Sequence, residues 1–118
     1  MNVSSYKRGL LAEYFCMLYL FFHGYRILSH RYKTYFGEID IIAQRRKTIV
    51  FIEVKARKDI QKGKEAILNK SKQRIENTAK LWLSKAVSRN YNQHRFDVFV
   101  VTSFYKKPKW YKNAWQMG

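Results

Sequence analysis

The sequence predicts a single α/β domain in which a mixed central β-sheet is flanked by α-helices. Two observations carry this prediction: apolar residues recur with helical spacing in two segments, and β-branched residues alternate with polar ones in the segments between and after them. A chain of 118 residues suffices for one compact domain spanning residues 1–118 but not for two. The expected order is helix, three strands, helix, strand and a short tail, which is typical of a sheet covered by helices.

The first helix is predicted from the apolar stretch 10–22, which Gly24 would end. Its buried face is expected to consist of Leu10, Tyr14, Met17, Leu18 and Phe21, widened by Phe15 and Phe22. Glu13 lies at the edge of this face, where it pairs with a nearby Lys or Arg unless the chain needs a carboxylate there for another purpose. The stretch is interrupted by Glu13 and is shorter than the roughly 20 residues that span a bilayer, so no membrane segment is expected.

Three strands are predicted next, at 25–35, 38–43 and 48–57, and the last two form a hairpin around a polar turn at 44–47. An amphipathic basic helix follows at 64–88, with its apolar side formed by Ile67, Ile75, Ala79, Trp82 and Ala86. A fourth apolar strand is expected at 95–104. The tail 106–115 interleaves lysines with Trp110, Tyr111 and Trp115, rings that either stack on nucleic-acid bases or close the core, and closing the core is the favoured interpretation.

The charge balance points to a polyanionic partner. There are 24 Lys plus Arg against 8 Asp plus Glu, a formal net charge of +16, and the basic residues recur along the whole chain. Nucleic acid is the expected partner, since phosphate contacts release counterions. A basic protein without a polyanionic partner and one that touches anionic lipid are the alternatives. The single Cys cannot form an intrachain disulfide, which indicates a reducing cytoplasm.

The hairpin concentrates acidic residues. If its turn centres on Arg46 and Lys47, then Asp40 lies opposite Glu53 on one face. Two opposed carboxylates among apolar neighbours repel each other unless a cation lies between them. Hard oxygen ligands suit Mg²⁺ or Mn²⁺, and Lys55 could stabilise charge that develops on a phosphate. The expected site is therefore a metal centre for phosphodiester hydrolysis.

Several short motifs together resemble the YraN family of bacterial proteins, which is assigned to the PD-(D/E)XK nuclease superfamily and is similar to Holliday-junction resolvases. The motifs are Gly9 and Glu13 in the first helix, Gly-Glu-Ile-Asp at 37–40, Glu-Val-Lys-Ala-Arg at 53–57, Lys72 in the second helix and Arg-Phe-Asp-Val at 95–98. The resemblance implies a restriction-endonuclease-like core and a Mg²⁺-dependent endonuclease acting on DNA, including branched DNA. It also implies a homodimer, since resolvase-like enzymes cut two strands related by symmetry.

The resemblance assigns roles to individual residues. It implies that Asp40 and Glu53 bind the metal, that Lys55 is the catalytic lysine, and that Glu13 assists as a metal or water ligand. Phosphate contacts are expected from Arg46, Lys47, Arg57, Lys72 and Arg74, although a solvated helix face would also account for Lys72 and Arg74. Glu38 either pairs with Lys55 or faces solvent, and Asp97 is expected to be structural, paired with Arg95 or a loop.

Two other functions remain open at this point. One is a nucleic-acid-binding protein that has the nuclease fold without catalysis, whose binding would be salt-dependent and would not need Lys55. The other is an interaction module whose aromatic surface docks another protein, with binding that barely responds to salt.

Overall fold

The computed structural model describes residues 5–57, 69–86 and 89–115. The elements in chain order are α1 (Ser5–Phe22), β1 (Arg26–Lys33), β2 (Glu38–Arg45), β3 (Thr48–Ala56), α2 (Asn69–Lys85), β4 (Gln93–Val101) and β5 (Lys109–Trp115). The strands form one sheet in the order β1-β2-β3-β4-β5. Strands β3 and β4 are parallel and the other neighbouring pairs are antiparallel. The predicted α/β class with a mixed sheet is confirmed, and the element order is consistent with a restriction-endonuclease-like core.

The two faces of the sheet carry separate apolar cores. Helix α1 covers one face, where the buried residues are Ala12, Cys16, Leu20, Tyr25, Ile41, Ala43, Val50, Ile52, Val54, Phe99 and Val101. Helix α2 covers the other, where they are Ile39, Ile42, Ile49, Phe51, Ile75, Ala79 and Phe96. On α2, Trp82 also packs against this second core, while Ile67 lies outside the described residues and Ala86 follows the end of the helix.

The predicted buried face of α1 is only partly correct, because Phe15 and Met17 pack against the core beneath α1 whereas Tyr14, Leu18, Phe21 and Phe22 are exposed. The side chains that turn inward are Ala12, Glu13, Cys16 and Leu20. The exposed ones are Leu11 (48%), Tyr14 (53%), Leu18 (56%), Phe21 (64%) and Phe22 (75%), and we call these five the outer face of α1. The helix is apolar on nearly all sides, so its periodicity does not select the buried side. Small residues such as Ala12 and Cys16 let the helix approach the sheet closely. In the part of the chain that the structure describes, no helix is long and apolar enough to cross a membrane.

The hairpin between β2 and β3 has the predicted register. Ile41 lies opposite Ile52 and Arg45 opposite Thr48, so Arg46 and Lys47 form a two-residue turn. Arg46 has a φ of 55°, a left-handed conformation that tight hairpin turns require. The ladder ends at Ile41 and Ile52, one residue before Asp40 and Glu53 would pair.

The segment expected to be a tail contains a fifth strand, β5, which pairs antiparallel with β4. Buried Asp97 of β4 links the two strands by hydrogen bonds. Its carboxylate accepts from Trp110 Nε1 (2.8 Å) and from the backbone N–H of Asn113 (2.8 Å), both in β5. It also accepts from Arg95 Nε (3.0 Å) on its own strand. Trp110 also stacks on Phe99 with ring centroids 4.9 Å apart. The structural role predicted for Asp97 is confirmed, and Trp110 closes the core.

Candidate active site

The alternation of β1 and β2 changes phase beside the predicted acidic site. Ile41 belongs to the core beneath α1, whereas Ile39 belongs to the core beneath α2, so the period of two is interrupted at Asp40. The register places Arg31 of β1 across from Asp40, and Arg31 has a φ of 56°. Such a backbone is uncommon for a residue with a side chain, and it is often found at functional sites. The interruption leaves Asp40 outside the regular strand pairing.

Asp40 and Glu53 meet where β2 and β3 part. The backbone N–H of Val54 donates to Asp40 Oδ2 at 2.8 Å, and the backbone N–H of Asp40 donates to Glu53 Oε1 at 3.5 Å. Glu53 is only 8% exposed. The expected juxtaposition of the two acids is thus present, formed by hydrogen bonds to the partner strand's backbone.

The environment of these acids disfavours their ionised forms. Burial raises the pKa of Asp40 to about 6; the Val54 hydrogen bond and Lys55 oppose the shift, and Glu13 adds to it. Burial and the neighbouring Asp40 raise the pKa of Glu53 well above its ordinary value, while Lys55 opposes the shift. A perturbed pair of carboxyls beside a cation is typical of catalytic and metal-binding sites.

A cavity of about 180 Å³ opens beside Glu53. The residues that line it are Gly37, Glu38, Glu53, Lys55, Ser71, Arg74 and Ile75. Strand β3 therefore presents a carboxylate and an ammonium group to the same cavity, and α2 adds the guanidinium-bearing Arg74. Glu38 is exposed at the cavity mouth, which agrees with the interpretation that it faces solvent.

The turn between β1 and β2 holds α2 against this cavity. Gly37 has a φ of 155°, and a Cβ at this position would lie 3.3 Å from Arg74 Cβ. The hydroxyls of Thr34 and Thr78 are 3.2 Å apart, which joins the same turn to the next helical turn. This close approach needs glycine, and it fixes where Arg74 enters the cavity.

Glu13 is bound to two basic side chains. It is 6% exposed and accepts hydrogen bonds from Arg31 Nε at 2.9 Å and from His30 Nε2 at 2.7 Å. The hydrogen bond to Glu13 raises the pKa of Arg31. The pairing with a nearby Arg expected for this carboxylate is present.

The other expected phosphate contacts lie apart from this cavity, with the exception of Arg74. Lys72 Nζ lies 5.8 Å from the centre of the Trp115 ring. Arg57 is exposed and donates to the carbonyl oxygen of Ala56. Arg46 and Lys47 form the hairpin turn at the far end of β2 and β3.

The donor chemistry of the site fits Mg²⁺ or Mn²⁺. Among the described residues, no group of three His, Cys, Asp or Glu side chains is placed to hold a metal ion. Asp40 and Glu53 nevertheless supply two hard carboxylate donors, and Mg²⁺ in proteins is usually held by one or two carboxylates together with water. The residues present therefore fit a two-carboxylate Mg²⁺ site.

Comparison with known proteins identifies the family. The model of the Uncharacterised protein family UPF0102 matches residues 12–101. The chain belongs to the UPF0102 family. It is 43% identical over 97 residues to a UPF0102 protein of Mesorhizobium japonicum, covering 82% of this chain and 78% of the relative. It is 41% identical over 101 residues to one of Nitrobacter winogradskyi, covering 86% of each chain. These relatives carry no functional name.

The UPF0102 match contains Glu13, Asp40, Glu53, Lys55 and Arg74, and it ends where β4 ends. Strand β5 lies outside the matched region.

Sequence reasoning missed His30 and Arg31 as partners of Glu13. Their positions depend on an interrupted strand alternation and a positive φ, for which the local sequence offers no signal.

Proposed function

We propose that this UPF0102 protein is a metal-dependent endonuclease that hydrolyses phosphodiester bonds in DNA, including branched or structured DNA. The proposal rests above all on the convergence of Asp40, Glu53 and Lys55 at the end of the β2–β3 ladder, beside a cavity that Arg74 also lines. This concentration of carboxylates is embedded in a protein of net charge +16. A basic surface that attracts nucleic acid around an acidic centre is the charge distribution that such hydrolysis requires.

Asp40 and Glu53 are the residues that would hold the metal. Mg²⁺ or Mn²⁺ bound there would supply Lewis-acid polarisation of a phosphate oxygen and a lowered pKa for bound water. The raised pKa values of both carboxyls support this role, because a divalent cation would compensate two buried like charges. Val54 would keep Asp40 oriented through its backbone N–H.

Lys55 and Arg74 would act on the phosphate and the attacking water. Both residues line the cavity, Lys55 from β3 and Arg74 from α2. The Lys55 ammonium group is suited to orient the water and to stabilise charge growing on the phosphate oxygens. The Arg74 guanidinium group is suited to hold a phosphate through two parallel hydrogen bonds.

Arg57, Lys72 and Glu13 do not line the cavity. Arg57 and Lys72 would contact phosphates flanking the cleaved bond, and Glu13 would assist the acidic centre as a metal or water ligand. The activity would take place in the reducing cytoplasm. In support of that setting, the single cysteine, Cys16, is a free thiol and cannot form a disulfide within the chain.

Cleavage of labelled DNA tests the proposal. Four-way junction, flap, duplex and single-stranded substrates are incubated with the native chain, Asp40→Asn and Glu53→Gln, with and without Mg²⁺ or Mn²⁺. We expect cleavage that needs the cation and is lost in both variants, with the best-cut substrate identifying the preferred DNA structure. Cation-dependent cleavage that persists in Asp40→Asn would overturn the site assignment.

One observation favours a second candidate function. The third acid of the expected site, Glu13, is already bound to Arg31 and His30. A protein that kept the fold and the basic surface but not the catalysis would bind DNA or RNA without cutting it. Tight, salt-sensitive binding without cleavage, unchanged in Lys55→Ala, would support this alternative over the nuclease.

We also propose that two copies associate through the outer face of α1. Whole aromatic side chains bury about 150–250 Å² each, so the exposed fractions of these five residues amount to on the order of 600 Å² per copy. A symmetric pair would then bury about 1,200 Å², the lower end of stable interfaces. The five residues are uncharged, although exposed Lys7 precedes them on the same side of the helix, and an apolar patch is where two strongly basic copies repel least.

A further inference from the structure

A second cavity lies at the hairpin-turn end of the sheet, away from the candidate active site. It encloses about 640 Å³. The described residues that line it are Gly24, Arg26, Gln44, Arg46, Arg89 and Asn90. Three of these six are arginines and none is acidic, and we call this space the arginine cavity.

Gln44 organises the arginine cavity by joining three chain segments. Its amide nitrogen Nε2 donates to the carbonyl oxygens of Arg46 at 2.9 Å and Asn90 at 3.0 Å. Its Oε1 accepts a hydrogen bond from Arg89 at 3.4 Å. Arg26 of β1 pairs with Gln44 in the sheet register. The arginines are thus brought together by side-chain hydrogen bonds and strand pairing rather than by a shared sequence motif.

The charge of this cavity distinguishes its arginines from others in the chain. Arg31 and Arg95 form ion pairs with Glu13 and Asp97. No carboxylate is present among the described lining residues of the arginine cavity, so its three exposed arginines concentrate positive charge there. An oxyanion would compensate this charge, and the planar fork of a guanidinium group matches the oxygens of a phosphate.

The distance between the two cavities suits a continuous nucleic acid. Glu38 lines the acidic cavity and Gln44 the arginine cavity, and both belong to β2. The six residue-to-residue steps from Glu38 to Gln44 span about 20 Å at 3.3–3.4 Å per step. The axis of a DNA duplex rises about 3.4 Å per base pair, so a duplex whose axis lies along β2 covers this span with roughly six base pairs.

We propose that the arginine cavity binds a backbone phosphate of the DNA whose scissile bond lies in the acidic cavity, roughly six base pairs away. This inference rests on the proposed function in taking DNA as the ligand. It adds a second anchoring point that fixes how the substrate lies along the protein. Since phosphate contacts do not read sequence, the cavity would set position and substrate length rather than base preference.

Binding without cleavage tests this proposal. DNA hairpins with stems of about four and about twelve base pairs, chosen to fall below and above the span, are titrated in EDTA by fluorescence anisotropy. The native chain is compared with the double variant Arg26→Ala plus Arg89→Ala. The control double variant, Arg8→Ala plus Lys107→Ala, removes the same charge from exposed positions outside both cavities.

We expect the cavity variant to bind the long hairpin about tenfold more weakly, with a salt slope smaller by about 1 for each phosphate that the variant no longer binds. It should bind the short hairpin as the control does. Arg46→Asn, whose new residue also tolerates the positive φ, should reproduce the effect in part. Equal losses of affinity in the cavity and control variants, or equal losses on both hairpins, would overturn the proposal.

Competition by inorganic phosphate in the same anisotropy assay is an independent test. If low millimolar phosphate were to compete at this cavity without any dependence on stem length, the site would belong to a free phosphate and the proposed anchoring of DNA would be wrong. The assay measures DNA binding in the absence of metal. A negative result would therefore overturn the phosphate contact at the arginine cavity without overturning metal-dependent cleavage at the acidic site. A positive result would equally be obtained with a protein that binds DNA without cutting it.

Discussion

The backbone N–H of Val54 donates to Asp40 Oδ2 at 2.8 Å, one residue beyond the end of the β2–β3 ladder. The Asp40 side chain on β2 therefore accepts a hydrogen bond from the backbone of β3 at the point where the two strands separate. This hydrogen bond holds Asp40 beside Glu53 and removes it from the repeating strand pattern. The candidate active site thus begins where regular hairpin pairing ends.

The pH dependence of stability should reveal the two carboxyls. Their pKa values are raised in the folded protein, so the native state holds protons that the unfolded chain has released. The contribution of Asp40 is fully present below about pH 4 and is lost as the pH rises through about 6, and that of Glu53 is lost in the same direction as the pH passes its own raised pKa. In EDTA, the unfolding free energy of Asp40→Asn should rise relative to the native chain by on the order of 2 kcal/mol over this range.

Urea unfolding at several pH values between 4 and 8 measures this difference. The Asn side chain can still accept the Val54 hydrogen bond, so the variant removes the charge with little change in packing. Parallel stability curves for the two proteins across this range would contradict the raised pKa of Asp40.

The backbone at Arg31 gives a second prediction. Its φ of 56° favours glycine, while its side chain binds Glu13. Arg31→Ala removes the ion pair and keeps the strained backbone, so we expect the protein to be destabilised by about 1–3 kcal/mol. Arg31→Gly removes the same ion pair but relieves the strain, and should be the more stable of the two by about 1 kcal/mol. Thermal unfolding of both variants checks the order, and a more stable Ala variant would refute it.

Gly37 should be intolerant of a side chain. A methyl group there would meet Arg74 Cβ at 3.3 Å and would be strained at a φ of 155°. We expect Gly37→Ala to cost about 1–3 kcal/mol. Gly9→Ala is the matched control, since nothing lies within 4 Å of its added Cβ in the α1 helix, and it should stabilise the protein by about 0.5–1 kcal/mol. Equal effects at both glycines in urea unfolding would contradict the close approach of α2.

The outer face of α1 predicts a salt-dependent dimer. Leu18→Lys plus Phe22→Lys should yield a monomer in sedimentation velocity, whereas Tyr35→Lys, at a 98% exposed residue elsewhere, should not change the assembly. Rising ionic strength should strengthen the native dimer, since it screens the repulsion between two basic copies. A native chain that remains monomeric at high salt and high concentration would refute this interface.

The hairpin register was predictable because two kinds of information agree there. The β-branched residues identify β2 and β3 as neighbouring strands, and the two-residue turn at Arg46 and Lys47 fixes which residues oppose each other. From this register the proximity of Asp40 and Glu53 follows. The interruption at Asp40 was not predictable, because it depends on β1 and on the conformation of Arg31, which local alternation does not encode.

The buried side of α1 was not predictable for a different reason. Large apolar residues lie on nearly all sides of the helix, so the hydrophobic pattern does not distinguish the buried side from the exposed one. The buried side is instead the one whose small residues, Ala12 and Cys16, can approach the sheet closely. The arginine cavity likewise depends on tertiary pairing. Arg26, Arg46 and Arg89 come from three separate segments, which only the topology brings together.

If Asp40, Glu53 and Lys55 form a nuclease site, the single-turnover cleavage rate should depend on Lys55. The rate of Lys55→Ala is measured with Mg²⁺ on the best-cut DNA substrate, beside the exposed-lysine control Lys107→Ala and with DNA affinity determined for each protein. We expect a rate reduced by about 10²–10³-fold in Lys55→Ala with little change in affinity, and a near-native rate for the control. Equal cleavage rates in the two variants would show that Lys55 takes no part in the reaction and that the nuclease site is wrongly assigned.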